Sequence, residues 1–504
     1  MQRIAAIDAG SNAIRLVVAT LSANRKVEVL ENIRVPVRLG QDVFTNEFLE
    51  ERTIQQAVNA FTQFQHVIED MGVSWVRAVG TSALREAKNR DILIDRIFHS
   101  SGIELKVING EEEARLVHLA VSEAIDLAEK RAVLVDIGGG SVEITVVDGD
   151  RIQRTDSYNM GTVRLLQRLG GDEKAGTTRN FSLLVREYAE AARHRIKQEI
   201  GESAVDLCIG TGGNVEEIGK LRQRFFTTGS DQMVTTQELE TLIDRLVGMS
   251  YRERMRKFNM RPDRADVIMP AAIVLHRIAL EIGIAEIQIP KVGLKNGILA
   301  DMAQHMTDEY RFPYHDQAWA SAIRLGEKYQ FDAKHAELVA KLAGQFFDQT
   351  QEITRADGEG RLILELGALL HDIGHFISTV DHDRHGYYLL TANHILGLSE
   401  RQQEMVACLV RFHRKAYPFQ DCWTTDLIHR DRLTVAKMSA LHRMADALDS
   451  SHTQRVTGVE FGRTKNGWKV HIQGKGDLTL EKWAFSRRST LFEELFGARI
   501  EIDG

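Results

Sequence analysis

One segment of the chain carries residues that could bind a phosphate group and a metal ion. In VLVDIGGGSVEITVVDGD, residues 133–150, three consecutive glycines lie between two apolar, β-branched runs, with an acid on either side of the turn. Glycine lets backbone N–H groups approach phosphate oxygens, and a carboxylate at a strand end can bind Mg²⁺ directly or through water. A single turn of this kind is more often structural, so both interpretations stay open on this segment alone.

The first twenty residues, MQRIAAIDAGSNAIRLVVAT, repeat this pattern and align on the segment without a gap. The alignment pairs Asp8 with Asp136, Gly10 with Gly138, Ser11 with Gly139, Asn12 with Gly140, and Arg15 with Glu143. Two copies with an acid at the same offset favour a divided phosphate site over two unrelated turns. We therefore expect two hairpins that face each other.

Strand and helix patterns alternate around both hairpins. RTIQQAVNAFTQFQHVIEDMG predicts an amphipathic helix, WVRAVGTSA a strand that ends in a turn, and EEEARLVHLAVSEAIDLAEK a helix. LCIGTGGNVEEIGKL again predicts a strand, a glycine turn and a helix. The alternation predicts two α/β lobes of related design, over residues 1–125 and 126–300.

From about residue 301 the pattern changes to long helical periods, such as KHAELVAKLAGQFFDQT, LILELGALLHDIGHF and RQQEMVACLVRFHR. Residues 456–504 again show a strand pattern, and Asn466 and Gly467 form an Asn-Gly pair that is typical of a hairpin turn. The sequence therefore predicts a third domain over residues 301–504 that is mostly α-helical and carries a small β appendage.

Composition excludes several classes of protein. The 504 residues include 64 basic and 71 acidic side chains, a net charge of −7, so no overall field attracts nucleic acid or an anionic membrane. Three distant cysteines, Cys208, Cys408 and Cys422, indicate a reducing compartment and no disulfide framework. We see neither a secretion signal nor an apolar run long enough for a membrane span, and we expect a cytoplasmic protein.

Two further segments add candidate residues. In GTSALREAKN, residues 80–89, Thr81, Ser82 and Arg85 fall at a strand end and helix start, where a helix N-terminus and a guanidinium favour an anion. An ordinary N-cap with a surface arginine explains them equally well. NGEEEARLV, residues 109–117, places three glutamates in a first helical turn, which the helix dipole alone can explain without selecting one of them.

Seven motifs occur in order: DAGSN (8–12), GTSALREAKN (80–89), GEEEARL (110–116), VDIGGGSVE (135–143), NMGTVRLL (159–166), GTGGN (210–214) and LKNGIL (294–299). Together they resemble the exopolyphosphatase and guanosine pentaphosphate phosphatase family, over essentially the whole chain. The resemblance implies the sugar kinase, Hsp70 and actin fold: two actin-like (ribonuclease H-like) lobes, then a mostly α-helical HD-type domain. It also implies a homodimer.

The resemblance also implies roles for individual residues. Glu113 corresponds to the general base that activates the attacking water, while Asp136 and Glu143 correspond to acids that organise Mg²⁺ and that water. The implied phosphate-binding residues are Gly10, Ser11, Asn12, Thr81, Ser82, Arg85, Gly138, Gly139, Gly140, Ser141, Gly212 and Gly213. This arrangement suits phosphoryl transfer, in which catalysis consists mostly of positioning and charge neutralisation.

Thirteen of the eighteen histidines lie beyond residue 300. An ordered set of histidines and aspartates there matches the HD metallophosphohydrolase pattern, which predicts a second divalent metal. The candidate ligands are His335, His371, Asp372 and Asp446, with His385 and His413 nearby. In long members of the family the His-Asp pair is often degenerate, and the domain binds substrate and dimerises. Because His371 and Asp372 are intact here, metal binding and independent hydrolysis both stay open.

Three basic stretches could extend a track for a long polyanion: residues 252–266, 410–418 and 486–490. Each is more simply explained as a solvated face of the protein. Sequence does not tell whether the three stretches converge on one surface.

We expect a Mg²⁺-dependent exopolyphosphatase that processively releases terminal phosphate from inorganic polyphosphate. The alternative is a guanosine pentaphosphate (pppGpp) 5′-phosphohydrolase, alone or as a second activity. Two other classes are a kinase of the same fold, which needs no water-activating Glu113, and a non-enzymatic nucleotide sensor, which would bind without turnover. ATP-dependent phosphorylation of an acceptor would favour the first, and tight binding without hydrolysis the second.

Overall fold

The computed structural model describes residues 2–22, 27–170, 175–201, 203–226, 230–305, 315–356, 358–414, 427–464 and 467–503. The chain divides into two compact units, Met1–Tyr310 and Arg311–Gly504.

The first unit is a mixed α/β structure. Its strands are β1 (Gln2–Ala9), β2 (Ile14–Leu21), β3 (Val27–Val35), β4 (Trp75–Gly80), β5 (Leu105–Val107), β6 (Arg131–Ile137), β7 (Val142–Asp148), β8 (Arg151–Tyr158), β9 (Leu207–Thr211), β10 (Met233–Thr235) and β11 (Glu286–Gln288). Its helices are α1 (Leu39–Asn46), α2 (Glu51–Asp70), α3 (Ser82–Glu86), α4 (Arg90–Ser101), α5 (Gly110–Ala124), α6 (Thr162–Leu169), α7 (Ala175–Ala191), α8 (Arg193–Ile200), α9 (Gly213–Phe225), α10 (Thr236–Val247), α11 (Tyr251–Phe258), α12 (Pro262–Ala265), α13 (Ile268–Ile282) and α14 (Leu294–His305).

Two sheets of matching topology form the lobes of this unit. The first has the order β3-β2-β1-β4-β5, and the second contains β8-β7-β6-β9-β11 with β10 added beyond β11. In the first sheet β1, β2 and β3 pair antiparallel, while β4 is parallel to β1 and β5 is parallel to β4. In the second sheet β6, β7 and β8 pair antiparallel, while β9 is parallel to β6 and β11 is parallel to β9. The repeat seen in the sequence is therefore a repeat of the fold.

Apolar periodicity explains how the helices cover these sheets. On α2, for example, Ile54, Phe61, Phe64 and Ile68 are buried, and their spacing puts them on one helical face. Helix α14 packs on β1 and α5 of the first lobe, although the sequence analysis placed its start in the second lobe. Because α14 packs on the first sheet, it belongs to the compact unit Met1–Tyr310.

The second unit is mostly helical. Its elements are α15 (His315–Lys328), α16 (Ala333–Thr354), α17 (Gly358–Leu370), a 3₁₀ turn (Ile373–Phe376), α18 (His382–Ala392), α19 (Glu400–Arg411), α20 (His429–Ala447), β12 (Val456–Thr464), β13 (Gly467–Gly474), α21 (Thr479–Arg488), α22 (Thr490–Phe496) and β14 (Arg499–Asp503). The strands form a three-stranded sheet in the order β12-β13-β14. β12 and β13 make the expected antiparallel hairpin, while Asn466 of its turn lies outside the described residues.

None of the helices in the described ranges is long and apolar enough to cross a membrane. Cys208 and Cys408 are buried, and Cys422 falls outside the ranges given above.

Candidate active site

The two hairpins carry their matched residues at matched register positions. Asp8 lies opposite Arg15 across β1 and β2, and Asp136 lies opposite Glu143 across β6 and β7. The first pair forms an ion pair, with Asp8 Oδ2 2.6 Å from Arg15 Nη1. The second pair puts two carboxylates side by side, which is unfavourable unless a cation or protons compensate them. The repeat has thus diverged from a neutral pair to an acidic one.

Glu113 joins this acidic pair from the first turn of α5. One carboxylate oxygen from each of Glu113, Asp136 and Glu143 lies within 4.8 Å of the others, and all three residues are buried. Gly110 makes the approach feasible, because a Cβ there would lie 2.9 Å from the Ser157 Cβ. Within the described residues, the second oxygen of Glu143, Oε2, is buried without a hydrogen-bond partner. Three converging carboxylates with an unpartnered oxygen fit a divalent cation.

Arg85 crosses from the first lobe into this acidic group. Its Nη1 donates to Glu113 Oε2 at 3.0 Å and to the Ile108 carbonyl at 2.7 Å, and its Nη2 lies 3.9 Å from Glu143 Oε1. Ser157 Oγ donates to the same Glu143 oxygen at 2.9 Å, and Thr211 Oγ1 donates to Asp136 at 2.6 Å. The guanidinium fixes the side chain of Glu113 while leaving the acidic group without a full set of counter-charges.

The pKa values of all three acids shift upward. Burial, followed by the charge of Glu143, raises the pKa of Glu113 well above its usual range. The same two causes raise the pKa of Asp136 to about 7, and burial raises the pKa of Glu143 although Arg85 opposes the shift. Metal-free protein therefore holds protons here that its unfolded chain would release.

This proton uptake predicts how metal-free stability depends on pH. The Asp136 carboxyl has a folded pKa of about 7 against 3.8 in the unfolded chain, so its stabilising contribution is complete below about pH 4 and lost as pH rises to about 7. In EDTA we expect Asp136→Asn to become increasingly more stable than wild type over that interval. Thermal unfolding from pH 4 to 8 measures the difference. Mg²⁺ should close the gap at pH 8, and a gap independent of pH would contradict the prediction.

The triglycine turn accepts hydrogen bonds at its carbonyls, while several of its amides donate to no acceptor in the described residues. Helix α6 donates to its carbonyls: Thr162 N to Gly138 O at 3.1 Å and Val163 N to Gly139 O at 2.8 Å. Among the described residues, the N–H groups of Gly139, Gly140 and Ser141 have no hydrogen-bond acceptor. Such a run of unpaired amides favours an anion.

These glycines are also required for packing between the lobes. A Cβ on Gly139 would lie 3.1 Å from the Ser11 Cβ, and one on Gly140 would lie 2.3 Å from Ser82 Oγ. Ser11 and its neighbour Asn12 are buried at this contact, and Asn12 Oδ1 has no hydrogen-bond partner in the part of the chain that the structure describes. The two hairpins therefore face each other closely. The phosphate-binding and structural interpretations of the glycines are compatible.

Arg164 of α6 links the two lobes beneath this turn. Its guanidinium is fully buried, donates from Nε to Gly140 O at 2.6 Å and from Nη2 to Ser82 Oγ at 3.2 Å, and pairs with Glu86. It also lies 4.0 Å from the ring centre of Phe44. Arg164 lies in the motif NMGTVRLL, but nothing in the sequence indicated its role. The structure assigns Ser82 to this link, while Thr81 lies buried at the start of α3.

Replacing Arg164 by Met should destabilise the first unit by about 3 kcal/mol, because the Gly140 carbonyl and Glu86 lose their buried donor. Urea unfolding followed by circular dichroism measures the change. Arg168→Met on the exposed face of the same helix is the matched control and should shift stability by less than about 0.5 kcal/mol. Equal effects of the two variants would show that Arg164 is not a specific link.

A second cationic group lies at the start of α9. A Cβ on Gly213 would lie 2.2 Å from Arg264 Nη2 and 3.5 Å from Arg15 Nη2, and Gly212 adopts a φ of 94° against Asp136. Burial and the charges of Arg15 and Arg34 lower the pKa of Arg264 to about 10. Cationic side chains close to the backbone amides at the start of a helix favour the binding of an anion. Arg264 is buried and donates to Asn214 Oδ1, although the sequence analysis explained its stretch as a solvated basic face.

The three basic stretches do not form continuous anion-binding tracks of exposed cations. In residues 252–266, Arg254 is buried and donates to backbone carbonyls, as at Ala265 O, so it is structural. Part of residues 410–418 lies outside the described residues. In the third stretch, Arg488 pairs with Asp446.

Comparison with known proteins identifies the family. The profile of the Ppx/GppA phosphatase family matches residues 17–306, and that of Ppx/GppA phosphatase, domain III, matches residues 319–483. The chain belongs to the Ppx/GppA phosphatase family. It is accordingly a phosphoanhydride hydrolase, which leaves no support for the kinase and sensor alternatives.

Relatives in the family carry more specific names. A guanosine-5′-triphosphate,3′-diphosphate pyrophosphatase from Aliivibrio fischeri is 27% identical over 471 residues, covering 91% of this chain and 92% of that protein. One of the same name from Photobacterium profundum is 26% identical over 411 residues, covering 82% and 80%.

Solved structures support the fold. The crystal structure of an exopolyphosphatase from Cytophaga hutchinsonii matches at a TM-score of 0.56 and 25% identity, covering 60% of this chain and 98% of that chain. The Ppx/GppA family member from Aquifex aeolicus matches at a TM-score of 0.52 and 23% identity, covering 61% and 99%, and shows the fold alone. The prediction of two actin-like lobes with a helical C-terminal domain is confirmed.

The domain III region of this family member brings the predicted histidine and aspartate ligands together. His335 Nε2 lies 3.3 Å from His371 Nε2, and Asp446 Oδ1 lies 3.7 Å from His335 Nε2. His371 and Asp372 lie in the turn after α17 rather than within a helix. His385 is not among the clustered residues: one turn earlier on α18, His382 lies in the cluster instead, with its Nε2 3.4 Å from Asp372 Oδ1.

Proposed function

We propose that this chain is a Mg²⁺-dependent guanosine pentaphosphate 5′-phosphohydrolase, which releases the terminal phosphate of the 5′-triphosphate. The names of the two relatives carry this proposal, because each matches at least four-fifths of its own length. Guanosine pentaphosphate, the alternative in the sequence analysis, therefore becomes the first candidate substrate. Inorganic polyphosphate becomes the second candidate.

Two anion-favouring features on either side of Asp136 support this substrate. The amides of residues 139–141 lie beside the acidic group, and Arg264 with Arg15 lies over the start of α9. Guanosine pentaphosphate has two anionic groups, one on each side of the ribose. The triphosphate suits the first position and the 3′-diphosphate suits the second.

The residues of the acidic group suggest a mechanism for water attack. Glu113 is the general base: the hydrogen bond from Arg85 orients its carboxylate, and its raised pKa strengthens it as a proton acceptor. The water loses its proton to Glu113 as its oxygen attacks the terminal phosphorus, and the bridging oxygen leaves with the shortened nucleotide. Arg85 and the amides of residues 139–141 receive the charge on the transferred group.

Asp136 and Glu143 would hold Mg²⁺, next to the carboxylate of the base Glu113. When bound, the ion supplies charge neutralisation for the phosphate oxygens and the acidic group. The buried, unpartnered Glu143 Oε2 supports this assignment, because an uncompensated carboxylate oxygen is costly to bury.

Exopolyphosphatase activity is a second candidate, since the matched Cytophaga hutchinsonii protein carries that name. A linear polyphosphate needs cations along a track, whereas guanosine pentaphosphate needs them at two points. The homodimer and the cytoplasmic location implied by the resemblance remain predictions within this proposal.

Arg264→Gln tests the substrate. We expect its KM for guanosine pentaphosphate to rise roughly 10- to 100-fold, the loss of one or two charge-assisted hydrogen bonds, with a much smaller effect on tripolyphosphate. Orthophosphate release gives both values. Arg261→Gln, a mostly exposed neighbour, is the control and should resemble wild type. Equal losses on both substrates would contradict recognition of a second anionic group and favour polyphosphate.

A further inference from the structure

Four imidazoles converge in the interior of the second unit. His335 of α16, His371 after α17, His382 of α18 and His413 after α19 are each no more than 3% exposed. Their Nε2 atoms form two close pairs: His335 with His371 at 3.3 Å, and His382 with His413 at 3.1 Å. Helices from four parts of the unit therefore direct the same ring atom to one place.

Hydrogen bonds at the opposite ring atoms decide where the protons are. His335 Nδ1 lies 2.8 Å from the Asp449 carboxylate, His371 Nδ1 2.8 Å from the Ala368 carbonyl, and His413 Nδ1 2.6 Å from the Val410 carbonyl. Only a protonated Nδ1 can donate to these oxygens. Neutral rings held in this way present lone pairs at Nε2, as metal-ligating histidines do.

The lone pairs of His335 and His371 consequently face each other across 3.3 Å with no proton between neutral rings. That arrangement is repulsive unless a metal cation, or a second proton on one of the rings, lies between the nitrogens. Two imidazole nitrogens that each bind one ion at about 2.1 Å with a tetrahedral angle are about 3.4 Å apart. The observed separation is the one a shared metal ion would produce.

His382 differs from the other three histidines. Its Nδ1 lies 3.3 Å from the Thr379 carbonyl and 3.2 Å from Arg414 Nη1, so it can donate to one or accept from the other. A cation at Nε2 would hold the proton on Nδ1 and select the bond to Thr379. The separation of 3.1 Å from His413 also matches two ligands of one ion.

Asp372 lies between the two pairs. Its Oδ2 is 3.4 Å from His371 Nε2, while its Oδ1 is 3.4 Å from His382 Nε2 and 3.8 Å from His413 Nε2. One carboxylate thus offers a different oxygen to each pair. Asp446 adds Oδ1 on the first side, 3.7 Å from His335 Nε2, and its other oxygen pairs with Arg488.

We propose that the second unit holds two transition-metal ions bridged by Asp372. The first ion takes His335, His371, Asp446 and Asp372 Oδ2, and the second takes His382, His413 and Asp372 Oδ1. Nitrogen-rich ligands favour Mn²⁺, Fe²⁺, Co²⁺ or Zn²⁺ over Mg²⁺, which separates this centre from the all-carboxylate group of the first unit. The proposal does not depend on the substrate of the lobes.

Equilibrium dialysis of the full chain against Co²⁺, with excess Mg²⁺ to occupy the carboxylate group, tests the two-ion centre. We expect two Co²⁺ per wild-type chain, one for His382→Ala and fewer than one for Asp372→Ala, because Asp372 serves both ions. His385→Ala, one turn away on α18, is the matched control and should keep two. Fewer than two Co²⁺ in wild type, or two retained by His382→Ala, would overturn the proposal.

Spectroscopy of the wild-type chain tests the same centre without depending on whether the variants fold. Electron paramagnetic resonance of the Co²⁺-loaded chain should show two magnetically coupled ions, since a shared carboxylate brings them close. X-ray absorption at the cobalt edge should show mixed nitrogen and oxygen ligation. Uncoupled ions or oxygen ligands only would overturn the bridged arrangement even if two equivalents bind.

Discussion

Glu113→Gln is expected to lower kcat for orthophosphate release by about 10²- to 10⁴-fold while changing KM little, because a positioned general base contributes that range. Glutamine keeps the size of the side chain and an oxygen for the hydrogen bond from Arg85, but it cannot accept the proton of the water. Steady-state kinetics on guanosine pentaphosphate with saturating Mg²⁺ measure the effect. The acidic limb of the wild-type pH–rate profile should disappear in the variant.

Glu111→Gln is the matched control, since this glutamate lies in the same helical turn but outside the acidic group. It should retain nearly the wild-type rate and pH profile. A comparable loss in both variants would mean that the charge of the helix start, rather than one positioned base, supports the reaction.

Asp136→Asn should produce the second large effect, a loss of about 10³-fold in activity at low Mg²⁺ that excess Mg²⁺ partly restores. Removing one of the two Mg²⁺-binding carboxylates weakens the binding of the cation, whose charge neutralisation is worth several kcal/mol in a transition state rich in negative charge. A Mg²⁺ titration of the initial rate measures both the apparent affinity and the maximal rate.

Asp8→Asn is the informative comparison, because Asp8 occupies the matched position of the first hairpin. Its loss leaves Arg15 without its ion-pair partner, so in EDTA it should destabilise the protein, whereas Asp136→Asn should stabilise it at pH 8. If both substitutions changed the stability in EDTA in the same direction, the two hairpins would not have different electrostatic roles.

The hairpins were predictable because their residues are local in sequence. Register pairs Asp136 with Glu143 once the strands and the turn between them are known, and the repeat supplied the first copy. Glu113 could not be selected from three neighbouring glutamates by dipole arguments, and only the resemblance singled it out. In the structure Glu113 is the glutamate that lies beside Asp136 and Glu143, whereas Glu112 pairs with Arg77 and Arg115.

Residues whose role depends on tertiary packing were beyond the sequence. Arg164 and Arg264 look like ordinary helical arginines, yet one is buried as a link between lobes and the other lies over the start of α9. His382 and His385 lie three residues apart on α18, and only the packing of that helix decides which one faces Asp372. Position along the chain does not distinguish such neighbours.

The most direct test of the account is hydrolysis of guanosine pentaphosphate in ¹⁸O-water with Mg²⁺, followed by phosphorus NMR of the products. The account predicts orthophosphate carrying one ¹⁸O, with the 3′-diphosphate intact. Release should be lost in Glu113→Gln and kept when His371 and Asp372 are both replaced by Ala. Release that survives Glu113→Gln but falls with the double replacement would place catalysis in the second unit and contradict the account.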